Sequence, residues 1–191
     1  MAPRKPRASS TTTATGTATT AATTAAPNDA PDDGGKAAAI AALCASLAAD
    51  LHAVAAAAHA AHDAATHPEA KPENDKDTRA LEAGYLAGAQ SARAAELQRT
   101  LVELQQAPAS AFALFALRET IGGRTVDSLV LLSPWGGGQK LAVGAGPAAG
   151  IVTVVTPKSP LGAALAGQPA GATVDVETGP RVRTLTVRGV S

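Results

Sequence analysis

The stretch DDGGKAAAIAALCASLAADLHAVAAAAHAAHDAATH, residues 32–67, constrains the chain most. Ile40, Leu43, Leu47, Leu51 and Val54 recur at three- and four-residue spacing, the period of one helix face. Ala58, Ala61 and Ala65 carry the stripe onward. Asp32 or Asp33 can cap its start. His67 precedes Pro68, which disfavours helix there and ends the run. A second helix is predicted from near Asp77, its N-cap, through TRALEAGYLAGAQSARAAELQRTLVELQQ. Leu97, Leu101 and Leu104 form its stripe, with Leu81 and Tyr85 near the start and Pro108 as the stop. Two helices of about thirty residues, joined by a short break, read as an antiparallel coiled-coil hairpin reaching roughly 45 Å. Such an arm has little core of its own, so it needs a base.

The base must be small. Hydrophobic residues are 46 % of the chain but aromatics only 2 %, so large core-filling side chains are scarce. After Pro108 the texture becomes β-rich. TVDSLVLLSP, QKLAVGA, GIVTVVTP, ATVDVET and RVRTLTVRGV are bounded by Gly and Pro, whereas FALFALRETIGG fits either a strand or a short helix. SPLGAALAG reads as one short helix, with Ser159 as N-cap, Pro160 at the first position and Gly167 where a C-cap glycine belongs. The expected class is α+β: a helical hairpin, then a small, mostly antiparallel sheet with one helix. Residues 1–32, rich in Thr, Ala and Pro, are expected to be a disordered tail, 33–107 the hairpin and 108–191 the sheet domain.

Charge narrows the functions. Sixteen basic residues balance sixteen acidic ones, so no global field attracts nucleic acid. The single cysteine, Cys44, has no cation beside it and reads as a small buried hydrophobe, consistent with a reducing cytoplasm. The basic N-terminus lacks an apolar core for a secretory signal, and the alanine runs are broken by His, Asp and Lys, so no membrane span is expected. GAGPAAG, residues 144–150, has the wrong spacing for a dinucleotide loop, and PWGGGQK lacks a phosphate-loop ending; both read as turns. His52, His59 and His62 lie near one helix face with Asp63 and His67 nearby, and read as a polar face rather than a zinc site.

The break between the helices, THPEAKPENDKDTRALE, holds Glu69, Glu73, Asp75 and Asp77. Acids near a helix start are expected from the helix dipole alone. A pair of carboxylates can equally complete the oxygen shell of a Mg²⁺ held by another protein.

The segment VTVVTPKSPLGAALAGQPAGATVDVETGPRVRTLTV, residues 152–187, resembles the C-terminal domain of the GreA/GreB transcript-cleavage factors. Ser159, Pro160, Leu161, Gly162, Ala164, Leu165, Gly167, Gly171, Val174 and Val176 stand in register with that family's pattern. The resemblance implies an FKBP-like fold for residues 110–191 and RNA polymerase as the partner. It further implies that the hairpin enters the polymerase secondary channel, where tip acids share a catalytic Mg²⁺ so that backtracked RNA is cleaved. The chain itself would then be an accessory factor and not an enzyme, with no cofactor of its own and only indirect contact with nascent RNA. The family's tip motif, Asp-Leu-x-Glu-Asn, aligns Glu73 and Asn74 with its Glu-Asn pair and Ala70 with its Asp. Glu73 is thus the leading candidate, with Asp75 as metal-sharing partner and Glu69 and Asp77 as further candidates. The loop between Leu165 and Gly171, with the adjoining strands, is the expected docking area. The alternatives are a Rnk-like channel regulator without cleavage, a prolyl isomerase suggested by the fold, and a self-associating coiled coil; a monomer is expected.

Overall fold

The computed structural model of the chain describes residues 31–67, 79–121, 123–144, 150–178 and 181–191. Helix α1 spans Asp33–Thr66, and the Asp32 carboxylate accepts from the Gly35 N–H at 2.6 Å, capping it as the sequence suggested. Helix α2 spans Arg79–Gln106. The two run antiparallel: Ala58 and His62 of α1 share a groove with Gly84 and Ala87 of α2, while Leu47 meets Leu97 nearer the base.

The α1 stripe is as expected, with Ala39, Leu43, Leu47 and Ala61 buried. The α2 stripe needs correction near its start. Leu81 and Tyr85 are 58 % and 73 % exposed. Counting back from Leu104 through Leu101, Leu97 and Ala94, the seam reaches Gln90, Ala87 and Ala83, so Leu81 and Tyr85 fall two residues out of phase. The expectation that no helix resembles a membrane span also needs correction. By length and composition alone α1 is long and apolar enough to cross one. Its leucines, however, are packed against α2 and the sheet.

A short 3-10 turn, Ala109–Ala111, follows Pro108 and leads into the sheet. Strands β1 (Ala113–Ile121), β2 (Arg124–Leu132), β3 (Lys140–Val143), β4 (Gly150–Val155), β5 (Thr173–Thr178) and β6 (Arg181–Val190) form one six-stranded sheet in the order β3-β4-β2-β1-β6-β5. All neighbours are antiparallel except β2 and β4. FALFALRETIGG therefore supplies a strand, and an inner one. Its periodicity was ambiguous because a strand buried on both faces reads as a continuous apolar run.

Alternation along β1 divides the interior into two cores. Leu114, with Leu131, Val152, Val154 and Leu141 on the neighbouring strands, faces the arm and meets Leu43, Leu47, Leu97, Leu101 and Leu104. Phe115 and Leu117 point the other way, with Val130, Val174, Val176, Leu185 and Val187, and Leu165 of helix α3 (Pro160–Leu165) closes that side. A bulge between Ala116 and Leu117 shifts the β1–β6 register.

The far end of β1 exchanges apolar packing for ion pairs on opposite faces. Arg118 grips Asp127 with two bonds of 2.7 Å, and Arg183 reaches Glu119 at 2.8 Å through Nε and again through Nη2. Hydrogen bonding from Arg183 holds the Glu119 carboxyl below its ordinary value of 4.5, and Arg118 does the same for Asp127 below 3.8. Both folded-state values are depressed, so this stabilisation is present above the ordinary values and is lost as pH falls through the lowered ones.

Acidification from pH 7 through that range is therefore expected to lower Tm. Glu119→Gln is expected to lower it at pH 7 by about 1–2 kcal/mol equivalent and to flatten the acid limb, checked by calorimetry across pH. Leu104→Ala is expected to cost about 2–5 kcal/mol, whereas Tyr85→Ala stays within about 0.5 kcal/mol in denaturant titration.

Candidate functional site

Glu69, Ala70, Glu73, Asn74, Asp75 and Asp77 lie outside the described residues, in the connection between the end of α1 and the start of α2. The expected N-cap Asp77 and most of GAGPAAG lie outside them too. What the structure builds in detail is the other end of the molecule, around SPLGAALAG.

Ser159 does two jobs there. Its Oγ accepts from the Gly162 N–H at 3.1 Å, capping α3, and donates to the Thr156 carbonyl at 2.7 Å. Pro160 occupies the first turn, where no N–H is needed. Gly162 is required by space: a Cβ there would lie 2.0 Å from the Thr156 carbonyl oxygen. Gly167, with φ +74°, follows the last turn as the C-cap position predicts. Ser159, Pro160 and Gly162 are thus bound by one geometric demand, the close return of the chain onto the end of β4.

Beside this turn lies an open cleft of about 640 Å³, lined chiefly by Val154, Val155, Pro160, Leu161 and Val176, with Glu177 at its polar edge. Of the expected docking region, the Leu165–Gly171 loop does not line it, but the adjoining strand β5 does, through Val176 and Glu177.

The remaining candidates separate in space. His52, His59 and His62 are exposed along α1, and among the described residues no group of three metal-binding side chains is close enough to hold an ion. His59 and His62 instead border the small-residue groove between the helices. Cys44 is partly buried against the arm-facing core, and burial raises its thiol above the ordinary value, in keeping with its reading as a small hydrophobe. Phe112 and Phe115 are only 4 % and 2 % exposed, one in each core.

Reasoning from sequence treated PWGGGQK as a plain turn. It is a turn, with Gly136 and Gly138 at positive φ, but Trp135 packs on Phe112 at 6.1 Å and donates its indole N–H to Glu103 of α2 at 3.0 Å. A lone tryptophan ahead of three glycines was the available signal. Glu119 was also missed, because a buried acid shows itself only when its cross-strand arginine is placed.

The fold is a two-helix arm rooted on an α+β base of six strands and one short helix. Comparison with solved structures finds similarity to GreA factor homologs. For GreA factor homolog 1 (Gfh1) of Thermus thermophilus, identity is 17 %, coverage 78 % of this chain and 94 % of that one, and TM-score 0.29. For Gfh1 of Thermus aquaticus the values are 14 %, 75 %, 90 % and 0.28. No family model matches the chain, and no curated protein matches it in sequence.

Gly162→Ala is expected to destabilise the protein by about 3 kcal/mol, since the obstacle is backbone rather than a yielding side chain. Ser159→Ala is expected to cost about 1 kcal/mol. Urea titration of both variants checks the order.

Proposed function

We propose that this chain is a GreA/GreB-like transcription elongation factor. In this reading it binds RNA polymerase, enters the secondary channel with its arm and stimulates cleavage of backtracked RNA. The observation that carries the reading is the joining of two features in one chain. In the Ser159-Pro160-Leu161-Gly162 turn, Ser159, Pro160 and Gly162 each have a geometric reason, and the arm on the same base carries Glu69, Glu73, Asp75 and Asp77 between its helices.

The division of labour follows from the donor set. Carboxylate oxygens suit Mg²⁺, and one or two are enough where another protein supplies the remaining ligands. Glu73 and Asp75 would bind at that shared ion and orient the attacking water, while Glu69 and Asp77 add negative charge nearby. The ion, held by the polymerase, supplies the Lewis acidity for phosphodiester hydrolysis. The arm contributes reach and placement, and the base contributes the docking surface, which the cleft beside Pro160 and Leu161 fits by its apolar lining. RNA contact is indirect, through the polymerase active centre. The protein acts as a monomer and brings no cofactor of its own.

One residue favours a second reading. Ala70 stands where the resemblance places an aspartate, so a Rnk-like regulator that occupies the channel without cleavage is the alternative.

Stalled elongation complexes with purified protein separate the two. Cleavage of the 3′ end by the wild type, falling roughly 10- to 100-fold in Glu73→Ala/Asp75→Ala, is the expected result. Polymerase binding without cleavage supports the alternative, and absence of polymerase binding overturns both.

A further inference from the structure

The arm's leucines seat it on the sheet, but apolar contact is non-directional. Polar contacts add direction to that packing. The β2–β3 turn, Ser133–Gln139, touches both helices with polar as well as apolar groups. On α2, Trp135 donates to Glu103 at 3.0 Å. On α1, Gly136 lies so close to Leu43 that a Cβ would come within 2.5 Å of its Cδ1, and Gln139 makes a longer contact to Asp50 at 3.4 Å.

The turn itself is stiff. Ser133 N–H donates to the Val155 carbonyl at 2.9 Å, Gly138 N–H to the Val154 carbonyl at 2.8 Å, and Val154 N–H returns a bond to the Gln139 carbonyl at 2.8 Å. Ser133 is fully buried and its Oγ accepts from the Trp135 N–H at 3.1 Å, which sets the indole's backbone. Gly137 fits against Thr156, at the foot of the Ser159 turn. A rigid edge of the base thus reaches out to both helices.

The packed seam does not fill the space beside the turn. Between arm and turn a cleft of about 260 Å³ remains open, bordered by Leu47, Asp50, Arg93, Glu96, Thr100 and Gln139. On that side the arm has room to lean, and the turn's polar contacts are what oppose it.

We propose that the Ser133–Gln139 turn aims the arm, with Trp135 and Gln139 as positioning residues that act through Glu103 and Asp50. The benefit of aiming rests on the polymerase reading, because a tip that shares a metal must arrive at one place. From Leu43, where the turn touches α1, to Thr66 the helix runs about 35 Å, so a tilt of roughly 10° carries that end about 6 Å, farther than a metal–ligand bond tolerates.

The test uses the isolated full-length protein, so it stands whether or not polymerase binds. Spin labels at Ala60→Cys on the arm and Ala163→Cys on α3, in a Cys44→Ala background, report the arm-to-base distance by pulsed electron resonance. The unmodified turn is expected to give one narrow distribution. Glu103→Ala, an exposed change that leaves the core intact, is expected to broaden it or shift its mean by about 4 Å, and Trp135→Phe to do the same while keeping the ring contact with Phe112. Glu103→Gln, whose amide oxygen still accepts the indole N–H, is expected to restore the narrow distribution. A distribution unchanged in Glu103→Ala, in Trp135→Phe and in Gln139→Ala overturns the proposal. So does a loss in Glu103→Ala that Glu103→Gln fails to rescue.

Discussion

The molecule depends on one apolar seam. Leu43 and Leu47 of α1 and Leu97, Leu101 and Leu104 of α2 meet Leu114, Leu131 and Val154 of the sheet in a single buried cluster. Few other places on the helices offer side chains of that size. Ile40, Leu51 and Val54 pack partly against that cluster; farther out the groove between the helices is lined mostly by alanine, glycine and serine, which bury little area per residue. Because the large residues are concentrated at one end, the helices form a cantilever rather than a free hairpin. The sheet gains from the same contact: Leu141 and Val152 near its β3 edge are covered by the arm and would otherwise face water.

Strand β1 makes that seam compatible with a second core. Its neighbours β2 and β6 leave it no open edge over most of its length, and its alternate side chains feed opposite layers. Where the layers run out, the same alternation places Arg118 on one face and Glu119 on the other, each with an oppositely charged partner two short bonds away. The pairs end the cores without stranding a buried charge.

Much of this could be read from the residues in advance. The α1 stripe, its Asp32 cap and the Ser159–Gly167 helix each follow from local chemistry acting over a few positions, and each is present. What eluded local reading depended on partners far along the chain. Leu81 and Tyr85 looked like seam residues until the phase of α2 was set by Leu97 and Leu104, which the sheet anchors. FALFALRETIGG stayed undecided because a strand covered on both faces loses its alternation. Trp135 and Glu119 matter through residues dozens of positions away. For the candidate site, residue type and the spacing of the helices located the carboxylates between α1 and α2, but spacing alone could not choose among Glu69, Glu73, Asp75 and Asp77.

The distribution of side-chain size along the arm also sets how it breathes. Near the sheet the facing residues are Leu47 and Leu97; farther out they are Ala55, Ala58, Gly84 and Gly88, and a Cβ at either glycine would meet open space. Cohesion between the helices therefore declines with distance from the base. Amide protons close to the sheet are expected to exchange with solvent through global unfolding, and those of the outer turns through local separations of the helices. The described turns of the arm farthest from the sheet are then also the ones whose two helices are held least tightly to each other.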